Sequence, residues 1–212
     1  MSRDWTGSRY SGVLTNGVQK DINNDRQKHD YYATDPQAIP PLIERETFSD
    51  TVWECACGEL HLSNALGKHG YKVINTDLIV RGGGMEQLDF LKYTPTTLNK
   101  YDIITNPPYK YARQFVEHAI EISKQGVKIA MFLKLTFLES KSRYKLFAEN
   151  PPKKLYVFST RMKCAKNGDF ANQPNSAVAY GWYVWEVGWK GEPGIGWIKP
   201  KSENEIDYVA ER

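Results

Sequence analysis

Apolar positions in this chain fall into short blocks separated by glycine, proline and charged residues, and the period inside the blocks changes along the sequence. Residues 1–28 are rich in Gly, Ser, Asn and Asp and carry no sustained period, which predicts a flexible arm or one that orders on substrate. Thr51-Val52-Trp53-Glu54-Cys55-Ala56 is a strand-like run leading into Gly58. Leu62, Ala65 and Leu66 share one face of a helix predicted over His61–His69, which Gly70 closes. Tyr71–Thr76 reads as a second strand ending at Asp77. Tyr101–Thr105 reads as a third, stopped by Asn106-Pro107-Pro108 because consecutive prolines cannot continue a ladder. Phe115, Ala119 and Ile122 have helical spacing, while Val127–Leu133, Leu155–Ser159 and Ala177–Trp185 read as further strands.

Strands alternating with helices predict an α/β domain built on a doubly wound, mostly parallel sheet with helices on both faces. Ligands of such sheets sit outside the carboxyl ends of the strands. A chain of 212 residues suits one domain, here residues 29–200, followed by a tail at 201–212. No internal repeat is visible.

Composition narrows the partners less than the pattern does. The 28 Lys+Arg nearly balance the 25 Asp+Glu, so any basic surface must be local. Cys55, Cys57 and Cys164 make no disulfide framework, and no apolar run is long enough to span a bilayer. With no signal-peptide core, the expectation is a cytoplasmic protein that avoids membranes. Trp182, Trp185 and Trp189 are read as core and strand packing. Cys55, Cys57 and His61 offer three metal-ligand types but no convincing fourth, so no metal is expected and buried thiols are preferred.

The chemistry concentrates at Asn106-Pro107-Pro108-Tyr109, between a strand and a helix. An aryl amine is a poor nucleophile because its lone pair is delocalised into the ring. An Asn side-chain oxygen and the carbonyl of Pro107 can accept its two N–H bonds, drawing charge toward the nitrogen without a strong base. Tyr109 can stack on the ring that carries the amine. The alternative is a rigid strand-to-helix turn, for which Asn-Pro and Pro-Pro are ordinary punctuation.

Following Tyr101–Thr105, this tetrapeptide resembles the catalytic motif of the amino-methyltransferases, and an aromatic in last place is similar to the adenine-N6 branch. The resemblance covers most of residues 29–186 and is strongest over 53–109, in the compact form carried by phages and prophages. It implies a Rossmann-like methyltransferase fold, a seven-stranded sheet with an antiparallel C-terminal strand, and S-adenosylmethionine as cofactor. Asn106, Pro107, Pro108 and Tyr109 would then be catalytic and base-holding. Trp53–Glu59 resembles the first cofactor motif, with Glu54 facing the methionine ammonium and Gly58 allowing close backbone approach. The family usually has proline where Cys55 stands and a second glycine where Leu60 stands. Asp77 would accept the ribose hydroxyls. Asp89 would accept from the cofactor adenine amine with Phe90 against its ring. Asp30–Pro36 resembles the segment closing over the methionine carboxylate, with Thr34, and secondarily Tyr32, as donors.

The motif order is similar to the gamma arrangement, which puts target recognition toward the C-terminal end. The candidate there is a short basic loop at about 160–176, where Arg161, Lys163 and Lys166 would contact phosphates; a solvated connection is the plain alternative. The expected partner is DNA with its target base flipped out, read through a short or relaxed recognition sequence. RNA, protein glutamine, and a catalytically silent nucleic-acid-binding module of the same fold are the alternatives. The sequence leaves the oligomeric state open.

Overall fold

The computed structural model describes residues 33–165, 170 and 178–200; Tyr32, Lys166, the arm at 1–28 and the tail at 201–212 lie outside them. In chain order the strands are β1 (Ala33–Thr34), β2 (Thr51–Glu54), β3 (Lys72–Asp77), β4 (Glu86–Gln87), β5 (Asp102–Thr105), β6 (Lys128–Lys134), β7 (Lys154–Phe158), β8 (Cys164–Ala165), β9 (Tyr180–Glu186) and β10 (Gly194–Ile198). The α-helices are α1 (Ile39–Ile43), α2 (His61–Lys68), α3 (Ala112–Ile122) and α4 (Tyr144–Glu149). Eight strands form one sheet in the order β10-β7-β9-β6-β5-β2-β3-β4, and β1 pairs with β8 in a separate antiparallel ladder. Within the large sheet only β9 runs against its neighbours, β6 and β7.

The α/β class and doubly wound arrangement expected from the sequence are observed, with two differences in detail. The sheet has eight strands rather than seven, and its antiparallel strand is not the last, because β10 follows and pairs in parallel with β7. Gly194 and Gly196 in a five-residue strand dilute the alternation by which β10 could be recognised. The prolines of α1 hid that helix in the same way. Pro40 and Pro41 sit in its first turn, where backbone N–H groups have no intrahelical acceptor to lose.

Side chains alternate across the sheet, so each central strand feeds two cores. In β6, Ala130 and Phe132 join one core with Leu62, Ala65 and Leu66 of α2. Ile129, Met131 and Leu133 join the other with Phe115, Val116 and Ala119 of α3. β9 ties both layers to the sheet through its tryptophans. Trp182 Nε1 donates to Ala38 O at 2.8 Å on one face, and Trp185 Nε1 to Asn150 O at 3.0 Å on the other. Both rings are fully buried with their N–H groups satisfied, which removes the main cost of placing indoles in a core. Trp189, expected to pack likewise, lies half-buried just after β9.

The amino-terminal rim of the sheet is closed by polar contacts. The Asp102 carboxylate at the start of β5 accepts the backbone N–H groups of Ser49 and Lys128, each at 2.7 Å. Glu46 pairs with Lys128 Nζ at 2.7 Å and accepts the Tyr156 hydroxyl at 2.8 Å. Among the described residues, no helix is long and apolar enough to cross a membrane.

Packing around β9 makes a contrast between two glycines. A Cβ at Gly181 would stand 2.8 Å from Tyr156 O, a backbone atom, whereas one at Gly67 in α2 meets nothing within 4 Å. Urea unfolding should show Gly181→Ala destabilised by about 1–3 kcal/mol. Gly67→Ala should gain roughly 0.5–1 kcal/mol from helix propensity.

Candidate active site

β2 and β5 lie side by side and parallel at the middle of the sheet, but their chains leave in opposite directions. After β2 the chain turns to α2 on one face, and after β5 to α3 on the other. The divergence opens a crevice at the carboxyl ends, and a cavity of about 1120 Å³ fills it. Thr34, Glu54, Asp77, Asp89, Phe90, Asn106, Pro107, Pro108 and Tyr109 all line this cavity. The sequence assigns all of them to one site from separate segments; Gly58, assigned with them, is not part of the lining.

Glu54 ends β2 and is 2% exposed. Burial pushes its carboxyl up to about 8, while a hydrogen bond donated by the Ser63 hydroxyl pulls the other way. Asp77 ends β3 and organises two loops at once. Its Oδ2 accepts Gly58 N–H at 2.8 Å, and its Oδ1 accepts Ile79 N–H and Arg81 Nη1, each at 2.9 Å. A carboxylate offers about four acceptor positions, so capacity for a further donor remains on Oδ2.

Gly58 (φ 55°) and Leu60 (φ 66°) both take left-handed backbone in the turn between β2 and α2. Leu60 is the one described non-glycine residue with positive φ, and it precedes α2 with no side-chain cap. The turn therefore keeps the backbone shape a second glycine would allow, at the cost of placing a Cβ in a disfavoured region.

Asp89 pairs with Lys92 at 3.0 Å. Phe90 borders the cavity but belongs equally to the core, stacked on Phe115 with ring centroids 4.9 Å apart and edge-on to Trp53 at 5.3 Å.

At the other end of the cavity, β5 runs into Asn106. Its side-chain Nδ2 donates to Thr34 Oγ1 at 2.6 Å, which anchors the amide beside β1. Tyr109 opens a 3-10 turn leading into α3, with its hydroxyl 3.5 Å from Cys164 Sγ and Lys134 Nζ 4.7 Å from its ring centroid. Burial raises the tyrosine hydroxyl well above its ordinary value and the Cys164 thiol to about 11, so both stay protonated near neutrality. Arg161 and Lys163 do not line the cavity. Arg161 is exposed, and Lys163 Nζ donates to Phe170 O at 2.7 Å. Phe170 meets the ring of His61, a cavity-lining residue, edge-on at 5.4 Å.

Ser63, Arg81, Lys134 and Cys164 join the site without having been singled out for it. Ser63 lies on α2, where the apolar spacing drew attention to its neighbours Leu62 and Ala65. Arg81 sits four residues beyond Asp77, a spacing that suits an ion pair. Lys134 and Cys164 arrive only through the pairing of distant strands, which no local spacing reports. Among the described residues no three His, Cys, Asp or Glu side chains converge on a metal site.

No family model and no curated protein sequence matches the chain. Solved structures do match in shape. A protein described as a class I S-adenosylmethionine-dependent methyltransferase from Listeria monocytogenes is 11% identical with a TM-score of 0.51, over 83% of this chain and 67% of that one. A predicted O-methyltransferase from Agrobacterium tumefaciens is 9% identical with a TM-score of 0.54, over 82% and 93%. A protein described as a hemolysin from Lactococcus lactis is 10% identical with a TM-score of 0.53, over 83% and 96%. At these identities the likeness establishes the fold, the open α/β sheet of class I methyltransferase structures.

The raised carboxyl of Glu54 has a measurable sign. Its ordinary value is 4.5, so between about 4.5 and 8 the folded chain holds a proton that the unfolded chain releases. Stability from this group is thus lost as pH rises through that window. Thermal unfolding at pH 5 and pH 8 should show a smaller drop in Tm for Glu54→Gln than for the unsubstituted chain. Equal drops would mean that the buried carboxyl is not the source.

Proposed function

We propose that the chain transfers a methyl group from S-adenosylmethionine to the N6 amino group of adenine in DNA. The observation that carries this reading is the position of Asn106-Pro107-Pro108-Tyr109, at the end of β5 in the same cavity as Glu54, Asp77 and Asp89. An amine-holding motif alone accounts for half a reaction. Carboxylates from other strand ends supply a place for the second reactant.

The donor set fits that cofactor chemically. Glu54 is buried, and its raised carboxyl favours ionisation only beside a cation, the role an ammonium group fills. Asp77 retains acceptor capacity for a sugar hydroxyl, and Asp89 and Phe90 combine an acceptor with an aromatic wall, suited to a purine. When bound, S-adenosylmethionine supplies a methyl group made electrophilic by its sulfonium. Two of the structures that share the fold are described as methyltransferases, which supports the same cofactor class.

On the substrate side, the Asn106 carbonyl and the Pro107 carbonyl accept the two amino hydrogens and orient the nitrogen. Tyr109 offers its ring as a platform for the flipped base. The neutral hydroxyl and thiol at Tyr109 and Cys164 add no negative charge to the pocket. Arg161 and Lys163, on the loop flanking the cavity, serve as phosphate contacts. Such contacts add affinity but little sequence information, so the recognition sequence is short or relaxed.

Transfer from labelled cofactor to DNA, RNA and protein in parallel tests the proposal. The expected result is label on DNA as N6-methyladenine, with Asn106→Ala losing transfer while cofactor affinity stays within roughly three-fold by calorimetry. Full activity in Asn106→Ala would sink the mechanism, and label confined to RNA or protein would overturn the substrate.

A further inference from the structure

The ladder of β1 and β8 lies outside the main sheet, yet it touches the reaction centre twice. Thr34 and Cys164 are direct partners in this ladder. Thr34 Oγ1 accepts the Asn106 amide at 2.6 Å, and Cys164 Sγ lies 3.5 Å from the Tyr109 hydroxyl. Asp35 N–H extends the pairing to Lys163 O at 3.2 Å. One cross-strand pair thus grips the first and last residues of the tetrapeptide, and its far strand continues from the basic loop.

We propose that Thr34 and Cys164 are positioning residues, a clamp that sets the orientation of Asn106 and Tyr109 and ties it to the loop carrying Arg161 and Lys163. The inference rests on the methyl-transfer reading above and changes the part given to Thr34 from the sequence, that of a donor to the cofactor carboxylate. The physical reason is the near-symmetry of a carboxamide. Rotating the Asn106 side chain by half a turn about its last torsion exchanges an acceptor for a donor at almost no change in shape. A substrate amine needs the acceptor. Thr34 Oγ1 takes the amide N–H and leaves the carbonyl end on the other side. A hydroxyl can also donate, so its contribution is to restrain the side chain in this arrangement, since any rotation must first break that bond. Cys164 acts similarly on Tyr109 by limiting how far the ring tilts, which keeps the stacking plane parallel to one base orientation.

Steady-state kinetics on an adenine-containing oligonucleotide, with cofactor calorimetry on the same samples, separate the clamp from a cofactor contact. Thr34→Val keeps the shape and the strand preference but loses the hydroxyl. It should lower kcat about ten-fold while KM for DNA and Kd for cofactor stay within roughly two-fold, the pattern of a lost hydrogen bond that acts on alignment. Thr34→Ser should restore kcat. Cys164→Ala should show a smaller loss of the same kind, with Cys164→Ser recovering it. If the valine variant does not fold, Thr34→Ala against Thr34→Ser gives the same comparison. Weakened cofactor binding with intact kcat in Thr34→Val would overturn the clamp and return Thr34 to the cofactor, and unchanged kinetics would overturn it outright. An unsubstituted chain that methylates no DNA overturns the proposed function and the clamp together. An active chain indifferent to Thr34→Val overturns the clamp alone.

Discussion

The structure depends on one topological constraint, the parallel pairing of β2 and β5 whose outgoing chains part to opposite faces of the sheet. Parallel neighbours cannot be joined by a tight turn, so each needs a crossover, and right-handed crossovers in opposite directions leave nothing to cover the carboxyl ends between them. The crevice is therefore a product of connectivity, present before any side chain is chosen. Glu54, Asp77 and Asn106 reach the cavity where a strand stops at that rim, or one residue beyond. The opposite rim is sealed by Asp102, Glu46 and Lys128. The two ends of one sheet thereby acquire different tasks, cohesion at one and ligand access at the other.

Local order at the open rim is bought with unfavourable terms. Glu54 is buried with a raised carboxyl, and Leu60 holds a backbone conformation that glycine would take more cheaply. Both lie within the turn that leaves β2, and Asp77 braces the same turn by accepting Gly58 N–H. Strain and desolvation are tolerated here because the surrounding strands are fixed by extensive apolar burial, with Val52, Ile103 and Ile104 fully buried. The fold itself therefore fixes the shape of this turn, which would lower the ordering cost of binding the proposed cofactor there.

Much of this was legible in the chain, for identifiable physical reasons. The central strands are short apolar runs bounded by Gly, Pro or Asp, and α2 and α3 show a clean apolar face, so periodicity located them. Asn106-Pro107-Pro108 marks its own strand end because proline cannot extend a ladder. Edge elements were harder. β4 and β8 have two residues each, and β10 alternates glycine with exposed Ile195 and Trp197, leaving little period to detect. Leu60 shows the other limit, since only backbone geometry reveals that the turn keeps a left-handed residue despite the missing glycine. Lys134 and the pairing of Thr34 with Cys164 were invisible because they arise from contacts between segments far apart in sequence.

The insertion of β9 between β6 and β7 has a consequence for how the protein comes into being. Translation delivers β6 and β7 well before the strand that must separate them. At ordinary elongation rates, the stretch from the end of β6 to the end of β9 takes roughly 3–10 s to emerge from the ribosome. During that interval β6 presents an unpaired edge whose residues Ile129 to Leu133 are, in the finished sheet, almost completely shielded from water. The nascent chain thus carries an unpaired apolar edge during those seconds, the stage at which capture by a chaperone or delayed collapse would protect it.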